Sequence, residues 1–568
     1  MITFASIILT IVTLGIQALT HELFFRIWNV FLIAVFSFTM MMCLRLGLKY
    51  VYTLFINSIS KRERVIMLGS AINSYFLASA LKYEVNGQFE PVALISLSSK
   101  EATKPINGIP VLKYNEDDIE DIFNKFNCKT LLFLSSQIEF MKSGAADVFL
   151  GHGIKLLMLN QVEEFTTSED GHQPLSSHVH HTNIEDLLGR EPIKTENPRV
   201  NRIIRNSVVM ITGAAGSIGS EIVRQVAQFG AKEIVLLDQA ESPMHEMQLE
   251  MEEKFPGTNV HLYIGDVTNR ERMERAFVKY RPRFVFHAAA YKHVPMMEHN
   301  PSEAVLTNVF GTKNIADLSM LYGVEKFVMI STDKAVNPTN IMGASKRIAE
   351  IYVQSLFFRN QKLHDHPTTQ FITTRFGNVL GSNGSVIPRF HQQIKNGGPV
   401  TVTHRDMIRY FMTIPEACSL VLEAGCMGSG GEIYIFDMGK PVKIYDLACR
   451  MISLAGLRAG KDIKIVETGL RPGEKLYEEL LSDRERTIST HHPKIMIAKV
   501  RVYDYVNVKE HLAELKKSLD SGDNHALVLE MKHIVPEYVS RNSEWEKIDS
   551  EVRKECGGHN VVEIPNPN

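Results

Sequence analysis

Seven residues, Gly213-Ala214-Ala215-Gly216-Ser217-Ile218-Gly219, leave this 568-residue chain few folds to choose from. They follow the apolar run VVMIT and lead into EIVRQVAQF, so they read as the turn between a strand and a helix. In such a turn Gly213 permits the tight bend, Gly216 lets the backbone approach phosphates, and Gly219 lets the helix pack on the strand. The helix N-terminus offers free N–H groups and a positive dipole end to a pyrophosphate. Further strand-like runs follow, EIVLLD, HLYIGD, FVFHAA, KFVMIS and FITTRFG, with helical segments between them. That rhythm predicts an α/β fold with a doubly wound parallel sheet.

The strand context sharpens the loop into a dinucleotide site. Asp238 ends the next strand, about 20 residues on, where a carboxylate accepts a ribose 2′-hydroxyl. No Arg or Lys follows closely in Asp238-Gln239-Ala240-Glu241, which favours NAD over NADP. Asp266, with Val267 beside it, suits the adenine end, and Ala288-Ala289-Ala290 give the cofactor a small-residue floor. The expected cofactor contacts are thus Gly213, Ala215, Gly216, Ser217, Ile218, Gly219, Asp238, Asp266, Val267, Ala288, Ala289, Lys292 and Lys346.

The strand KFVMIS runs into Ser331-Thr332-Asp333-Lys334, at the sheet edge where such folds bind ligands. Met342 and Lys346 follow, four residues apart and so on one face of a helix. Short-chain dehydrogenase/reductases keep a Ser/Thr and a Tyr-x-x-x-Lys at these positions, but here the tyrosine is replaced by Met342. A thioether cannot ionise, and an acid and an amine, Asp333 and Lys334, stand beside the substitution. The expected catalytic set is Thr332, Asp333, Lys334, Met342 and Lys346, with Lys346 reaching the nicotinamide ribose.

On these residues the chain resembles the membrane-bound nucleotide-sugar 4,6-dehydratases of the CapD-like polysaccharide biosynthesis family, within the extended short-chain dehydrogenase/reductases. UDP-N-acetylglucosamine 4,6-dehydratases are the nearest members. The segments ITGAAGSIGSEI, HAAAYKHVPMMEHNP, ISTDKAVNPTNIMGASKR, RFGNVLGSNGSVIPRF, RYFMTIPEA and RPGEKLYEEL carry the likeness, between Val208 and Leu480. The resemblance implies bound NAD that removes hydride from sugar C4 and returns it to C6 after water has left. It implies Asp333 as the acid at C6 and Lys334 as the base at C5, with Thr332 and Asp333 handling the 4-hydroxyl. It implies Lys292, His293, Asn378, Arg389, Arg409, Arg471 and Glu474 as contacts to a UDP-linked N-acetylhexosamine, the arginines for its phosphates. Asn308 reads as a structural support. A lysine half neutral near pH 7 needs a downward shift of about 3 units, roughly 4 kcal/mol. Burial, Lys346 and the nicotinamide ring push that way, and Asp333 pushes against it.

The remaining stretches set the expected organisation. Residues 1–60 hold two apolar runs, Ile2 to Leu19 and Ile27 to Leu44, each about long enough to span a bilayer. Arg45, Lys49, Lys61, Arg62 and Arg64 follow, which places both ends in the cytoplasm. The expectation is a multi-pass protein of the inner membrane, with its catalytic domain in the cytoplasm. Residues 61–165 alternate like a small Rossmann-like unit, but its turn Gly69-Ser70-Ala71-Ile72-Asn73-Ser74 lacks the later glycines, so the unit reads as degenerate. Residues 166–200 read as a linker, 201–500 as the NAD-binding catalytic domain with a substrate subdomain, and 501–568 as C-terminal helices and a loose tail. A net charge of −2 gives no footprint for nucleic acid. Six cysteines without paired or metal-ligand spacing read as reduced thiols, and no metal is expected. A homo-oligomer is expected. Two other readings stay open: a UDP-sugar 4-epimerase, and a catalytically inactive NAD-binding membrane scaffold.

Overall fold

The computed structural model describes residues 35–49, 62–69, 77–82, 87–97, 108–159, 179–181, 198–363, 369–479 and 486–555, with a few single residues between them. Two compact units divide the chain, residues 1–182 and 183–568.

The first unit holds one six-stranded sheet. Its strands are β1 (Glu63–Gly69), β2 (Phe89–Ser96), β3 (Val111–Lys113), β4 (Thr130–Leu134), β5 (Lys155–Leu159) and β6 (Val179–His181), in the order β3-β2-β1-β4-β5-β6. All neighbours run parallel except β6, which returns antiparallel along β5. The inner strands are unbroken apolar runs, such as Leu131, Leu132 and Phe133 in β4, as expected where a parallel sheet is covered on both faces. Strand β6 falls in the stretch expected to be a linker. Its polar composition hid it, because an edge strand needs only free backbone groups from its neighbour.

Of the two apolar runs, Ile2 to Leu19 lies almost wholly outside the described residues. The second is described from Val35, where a helix over 35–49 exposes Phe36, Met40 and Leu44. Among the described residues no helix is long and apolar enough to cross a membrane.

The second unit is built on a nine-stranded sheet. After β7 (Val208–Thr212), β8 (Glu233–Asp238), β9 (Asn259–Ile264), β10 (Phe284–His287), β11 (Lys326–Ile330) and β12 (Gln370–Arg375) comes the parallel strand Ile433–Phe436. Antiparallel strands Ile495–Lys499 and Arg486–Ser489 then close that edge. From the other edge the order is β9-β8-β7-β10-β11-β12, so the chain reverses direction across the sheet between β7 and β10. That switch opens a crevice above the carboxyl ends of the two strands.

Alternate side chains on each strand enter opposite cores. Met210, Val285 and Phe327 pack with the long helix Ile341–Leu363, while Val209, Phe286 and Val328 pack with the helices Ser217–Gln228 and Ile414–Met427. The sheet is therefore doubly wound, as the strand rhythm predicts. Short elements between Val386 and Leu476 form a separate apolar cluster around Phe390, Leu447 and Ile452. The helices Tyr505–Ser521 and Asn524–Ile534 join the first core through Leu512, Leu515 and Met531.

Candidate active site

The glycine loop follows β7 at the switch point. Gly213 has φ +68°, and a Cβ there would lie 2.6 Å from the Ala289 nitrogen. A Cβ on Gly219 would lie 2.0 Å from the Gly213 oxygen. The loop thus forms only with hydrogen at both positions, because the helix and the Ala288–Ala289 backbone close in on it. Gly216 caps the helix with no side chain turned onto the first N–H groups, which leaves them for an anion. Asp238 organises the loop from the next strand, accepting from the Ala215 N–H at 3.0 Å and the Ala240 N–H at 3.0 Å.

A pocket opens here, lined by Gly213, Gly216, Asp238, Asp266, Val267, Ala288, Ala289 and Thr307, among others. Seven of the expected cofactor residues thus share one wall, and the cradle fits a dinucleotide. Ile218 and Gly219 instead turn toward the packing of their helix, with the Ile218 carbonyl facing Cys418 Sγ at 3.5 Å. Ser217 accepts from the Asn383 N–H at 3.2 Å, so it ties the helix start to the loop Gly381–Ser385.

Beneath the pocket lies a polar chain that sequence reasoning missed. Thr312 donates to the Asn308 carbonyl, so its oxygen accepts from His287 Nε2–H at 2.9 Å. His287 Nδ1 then accepts from Thr212 at 2.7 Å. Burial, with Lys346 nearby, holds His287 down at about 3, so the imidazole is neutral. Asn308 continues the chain, clamping the Tyr291 backbone and Ser345 Oγ. Its structural reading fits that geometry.

The acid–amine pair stands at the end of β11. Asp333 is buried; its Oδ1 accepts from Thr332 Oγ1 at 2.8 Å and from Lys334 Nζ at 3.0 Å. Lys334 Nζ also donates to Asn378 Oδ1 at 3.1 Å. Asp333 Oδ2 is buried and has no hydrogen-bond partner. One expectation is reversed here. Burial pushes the Lys334 ammonium down, but Asp333, Glu478 and the hydrogen bond to Asp333 outweigh it and raise its pKa above the ordinary lysine value. In this state Lys334 is a protonated partner of Asp333, whose carboxylate lies 3.0 Å from its Nζ.

Lys346 is a buried amine. Burial lowers it to about 8 against the pull of Glu350, and its Nζ donates to the Ile330 carbonyl at 2.9 Å. Met342 is buried in the first core at the start of the same helix. Ser331, the residue before Thr332, is directed elsewhere and donates to Glu350 at 2.7 Å. Burial would push the Glu350 carboxyl up, but Arg375 and Arg347 hold it below the usual carboxylate range.

The expected substrate residues divide. Lys292 and His293 follow β10, and the His293 ring lies against Gly384, where a Cβ would come within 2.7 Å of Cε1. Burial, then Lys334, lowers Lys292; burial, then Lys292 and Arg471, lowers His293. Lys292 is thus within electrostatic reach of Lys334, and His293 within reach of Lys292 and Arg471, while Asn378 Oδ1 accepts from Lys334. Arg471 pairs with Glu474 at 2.8 Å on the rim. Arg389 is exposed on the helix Val386–Lys395. Arg409, expected at the phosphates, is buried and donates to the carbonyls of Ile408, Lys475 and Leu476. Its remaining partner is Glu478, at 3.6 Å. A charged residue inside a phosphate-binding pattern carries no mark in sequence of such backbone ties.

Comparison with known proteins places this geometry in context. Residues 209–500 match the family described as polysaccharide biosynthesis protein. The chain is 40% identical over 452 residues to the capsular polysaccharide biosynthesis protein CapD of Staphylococcus aureus, covering 79% of this chain and 74% of that one. It is 35% identical over 276 residues to an inverting UDP-N-acetylglucosamine 4,6-dehydratase of Campylobacter jejuni, covering 48% of this chain and 77% of the other. It is 34% identical over 284 residues to a UDP-glucose 4-epimerase of Rickettsia rickettsii, covering 49% and 79% respectively.

Proposed function

The chain belongs to the polysaccharide biosynthesis protein family, and from that premise we propose that it is an NAD-dependent nucleotide-sugar 4,6-dehydratase. Its substrate in this reading is UDP-N-acetylglucosamine, and its product the UDP-4-keto-6-deoxy sugar. The observation that carries the reading is Met342, buried where a tyrosine would transfer a proton, beside the linked Thr332, Asp333 and Lys334. A 4-epimerase needs no acid at C6, so this acid–amine pair has no task in it.

Bound NAD supplies a hydride acceptor at C4 and a hydride donor at C6. The glycine loop, Asp238 and the Ala288–Ala289 floor would hold it, and Lys346 would serve its nicotinamide ribose. Thr332 passes the proton of the 4-hydroxyl to Asp333 along their 2.8 Å hydrogen bond. The new 4-ketone acidifies the C5 hydrogen, and neutral Lys334 takes it as a proton. Asp333 gives its proton to the C6 hydroxyl, which departs as water, a step hydroxide alone would make poorly. After hydride returns to C6, Lys334 or solvent reprotonates C5, and Asp333 is again ionised. Protons balance only if Lys334 starts neutral. The protonated resting Lys334 must therefore release a proton first, and turnover rises with pH through that release.

The N-terminal apolar runs are proposed to anchor the chain to the membrane, and the 4-epimerase reading is kept because of the Rickettsia relative. Incubation with UDP-N-acetylglucosamine separates the readings. A dehydratase product is lighter by one water and appears without accumulation of reduced NAD, whereas an isobaric product would establish the epimerase. Reduced NAD formed in proportion to product would overturn both.

A further inference from the structure

The helix Ile341–Leu363 carries Met342 and Lys346, so whatever fixes its first turn fixes their place. A helix cannot satisfy its leading N–H groups internally, and here side chains take two of them. Asn340 caps locally, its Oδ1 accepting from the Gly343 N–H at 2.7 Å. Glu298 caps from a distance, its Oε1 accepting from the Ile341 N–H at 2.7 Å. Glu298 is buried, one residue before the end of the helix Val294–His299, which follows Lys292 and His293. The same helix start abuts the acid–amine pair: a Cβ on Gly343 would lie 2.1 Å from the Lys334 carbonyl oxygen. In so close a packing a displaced first turn displaces the Lys334 backbone with it.

The C-terminal segment holds this cap from the far side. Ser543 Oγ donates to Glu298 Oε2, and Trp545 Nε1–H donates to the Glu298 carbonyl at 3.1 Å. The Val539 and Arg541 N–H groups donate to the carbonyls of Pro338 and Thr339, at 3.1 and 3.2 Å. The Arg541 carbonyl in turn accepts from the Gly473 N–H at 2.8 Å. The Gly473 carbonyl accepts from Thr339 Oγ1 at 3.1 Å and from Asn340 Nδ2 at 3.0 Å. The segment Val539–Trp545 is thus bonded to Glu298, to the turn that joins Lys334 to Met342, and to the loop that carries Arg471.

We infer that Glu298, held by Ser543 and Trp545, is a positioning residue that seats the first turn of the Lys346 helix against Lys334, which makes the C-terminal segment part of the catalytic frame. The inference rests on the reading of Lys334 and Lys346 as the centre of nucleotide-sugar chemistry, and it concerns residues outside the expected catalytic and substrate sets.

Two measurements on the full-length protein test it. Hydrogen–deuterium exchange of the peptide 335–346 reads the seat without turnover. The kcat with UDP-N-acetylglucosamine, per NAD-loaded protein and well below the urea midpoint, reads its consequence for whichever product forms. In Glu298→Ala the peptide should exchange faster and kcat should fall by about 10²-fold with little change in KM, the scale of a displacement of about 1 Å. Ser543→Ala and Trp545→Phe each remove one donor and serve if Glu298→Ala does not fold; each should lower kcat a few-fold. Glu298→Gln keeps an acceptor for the Ile341 N–H and a partner for Ser543, so it should restore most of the rate. Ser550→Ala, in the next helix, removes an exposed hydroxyl that donates to the Lys547 carbonyl and should change neither readout.

Unchanged exchange in Glu298→Ala and Ser543→Ala overturns the seat. Faster exchange with wild-type kcat overturns its role in the reaction, because a purely structural brace would lower the urea midpoint without slowing the folded protein. An isobaric product whose rate follows the Glu298 and Ser543 variants sinks only the dehydratase reading. Loss of water at a rate indifferent to those variants sinks only the role of Glu298.

Discussion

The two units share a strand order and differ in what they bury. In the first, β3-β2-β1-β4-β5 run parallel; in the second, β9-β8-β7-β10-β11 repeat that order strand for strand. Among the described residues, the first unit buries no charged side chain, only Ser96 and Thr130 among its polar residues. Those the second unit buries include Asp333, Lys346, Arg347, Glu350, Arg375, Arg409 and Glu478, with Asp333 and Arg375 at or just past the carboxyl ends of β11 and β12. The same topology thus serves as an apolar-cored sheet in one case and as a frame for ionised groups in the other. Topology supplies the crevice, and the residues at the strand ends decide whether chemistry is possible there.

Four tests break or sharpen that contrast. The largest effect is expected from Lys334→Ala, which should lower turnover by about 10³-fold or more while NAD content, read after denaturation, stays the same. Next comes Glu350→Gln, which leaves the Arg375 and Arg347 guanidiniums buried without their anion. It should cost about 3–5 kcal/mol in urea unfolding. Thr130→Val in the first unit, which removes only a hydroxyl bonded to Glu63 at 2.6 Å, should cost about 1 kcal/mol. A comparable loss from both would erase the distinction between the units.

Gly219→Ala follows. Its Cβ would strike the Gly213 oxygen, so the purified protein should lose its bound NAD. Ser70→Ala, one residue past the end of β1 in the sequence, should leave NAD content unchanged. The smallest effect is pH dependence from Lys346. Its charge is present below about 8 and lost above, so the rise of turnover with pH that follows Lys334 deprotonation should level off above that value. Lys346→Arg, whose guanidinium keeps its charge, should let the rise continue to higher pH.

The fold of the second unit was legible because its signals are local. The glycine spacing at 213–219, apolar strand runs and an acid at Asp238 each act within a few residues of chain. The pocket gathers seven of the cofactor residues read from those signals. The acid–amine pair was legible too, since Thr332, Asp333 and Lys334 are neighbours in sequence. Arg409 was read as a phosphate contact, and its ties to the Ile408, Lys475 and Leu476 carbonyls carried no local mark. Glu478, His287 and Glu350 were passed over because each looks like an ordinary residue until its partners arrive from distant segments.

By itself, then, the sequence determined which chemical groups stand at the ends of which strands, since backbone pattern and side-chain type are properties of short stretches. Tertiary structure alone decided their charge. Whether Lys334 holds its proton depends on burial and on the fields of Asp333, Glu478 and Arg409, and only folding brings residues so far apart in the chain within electrostatic reach of each other.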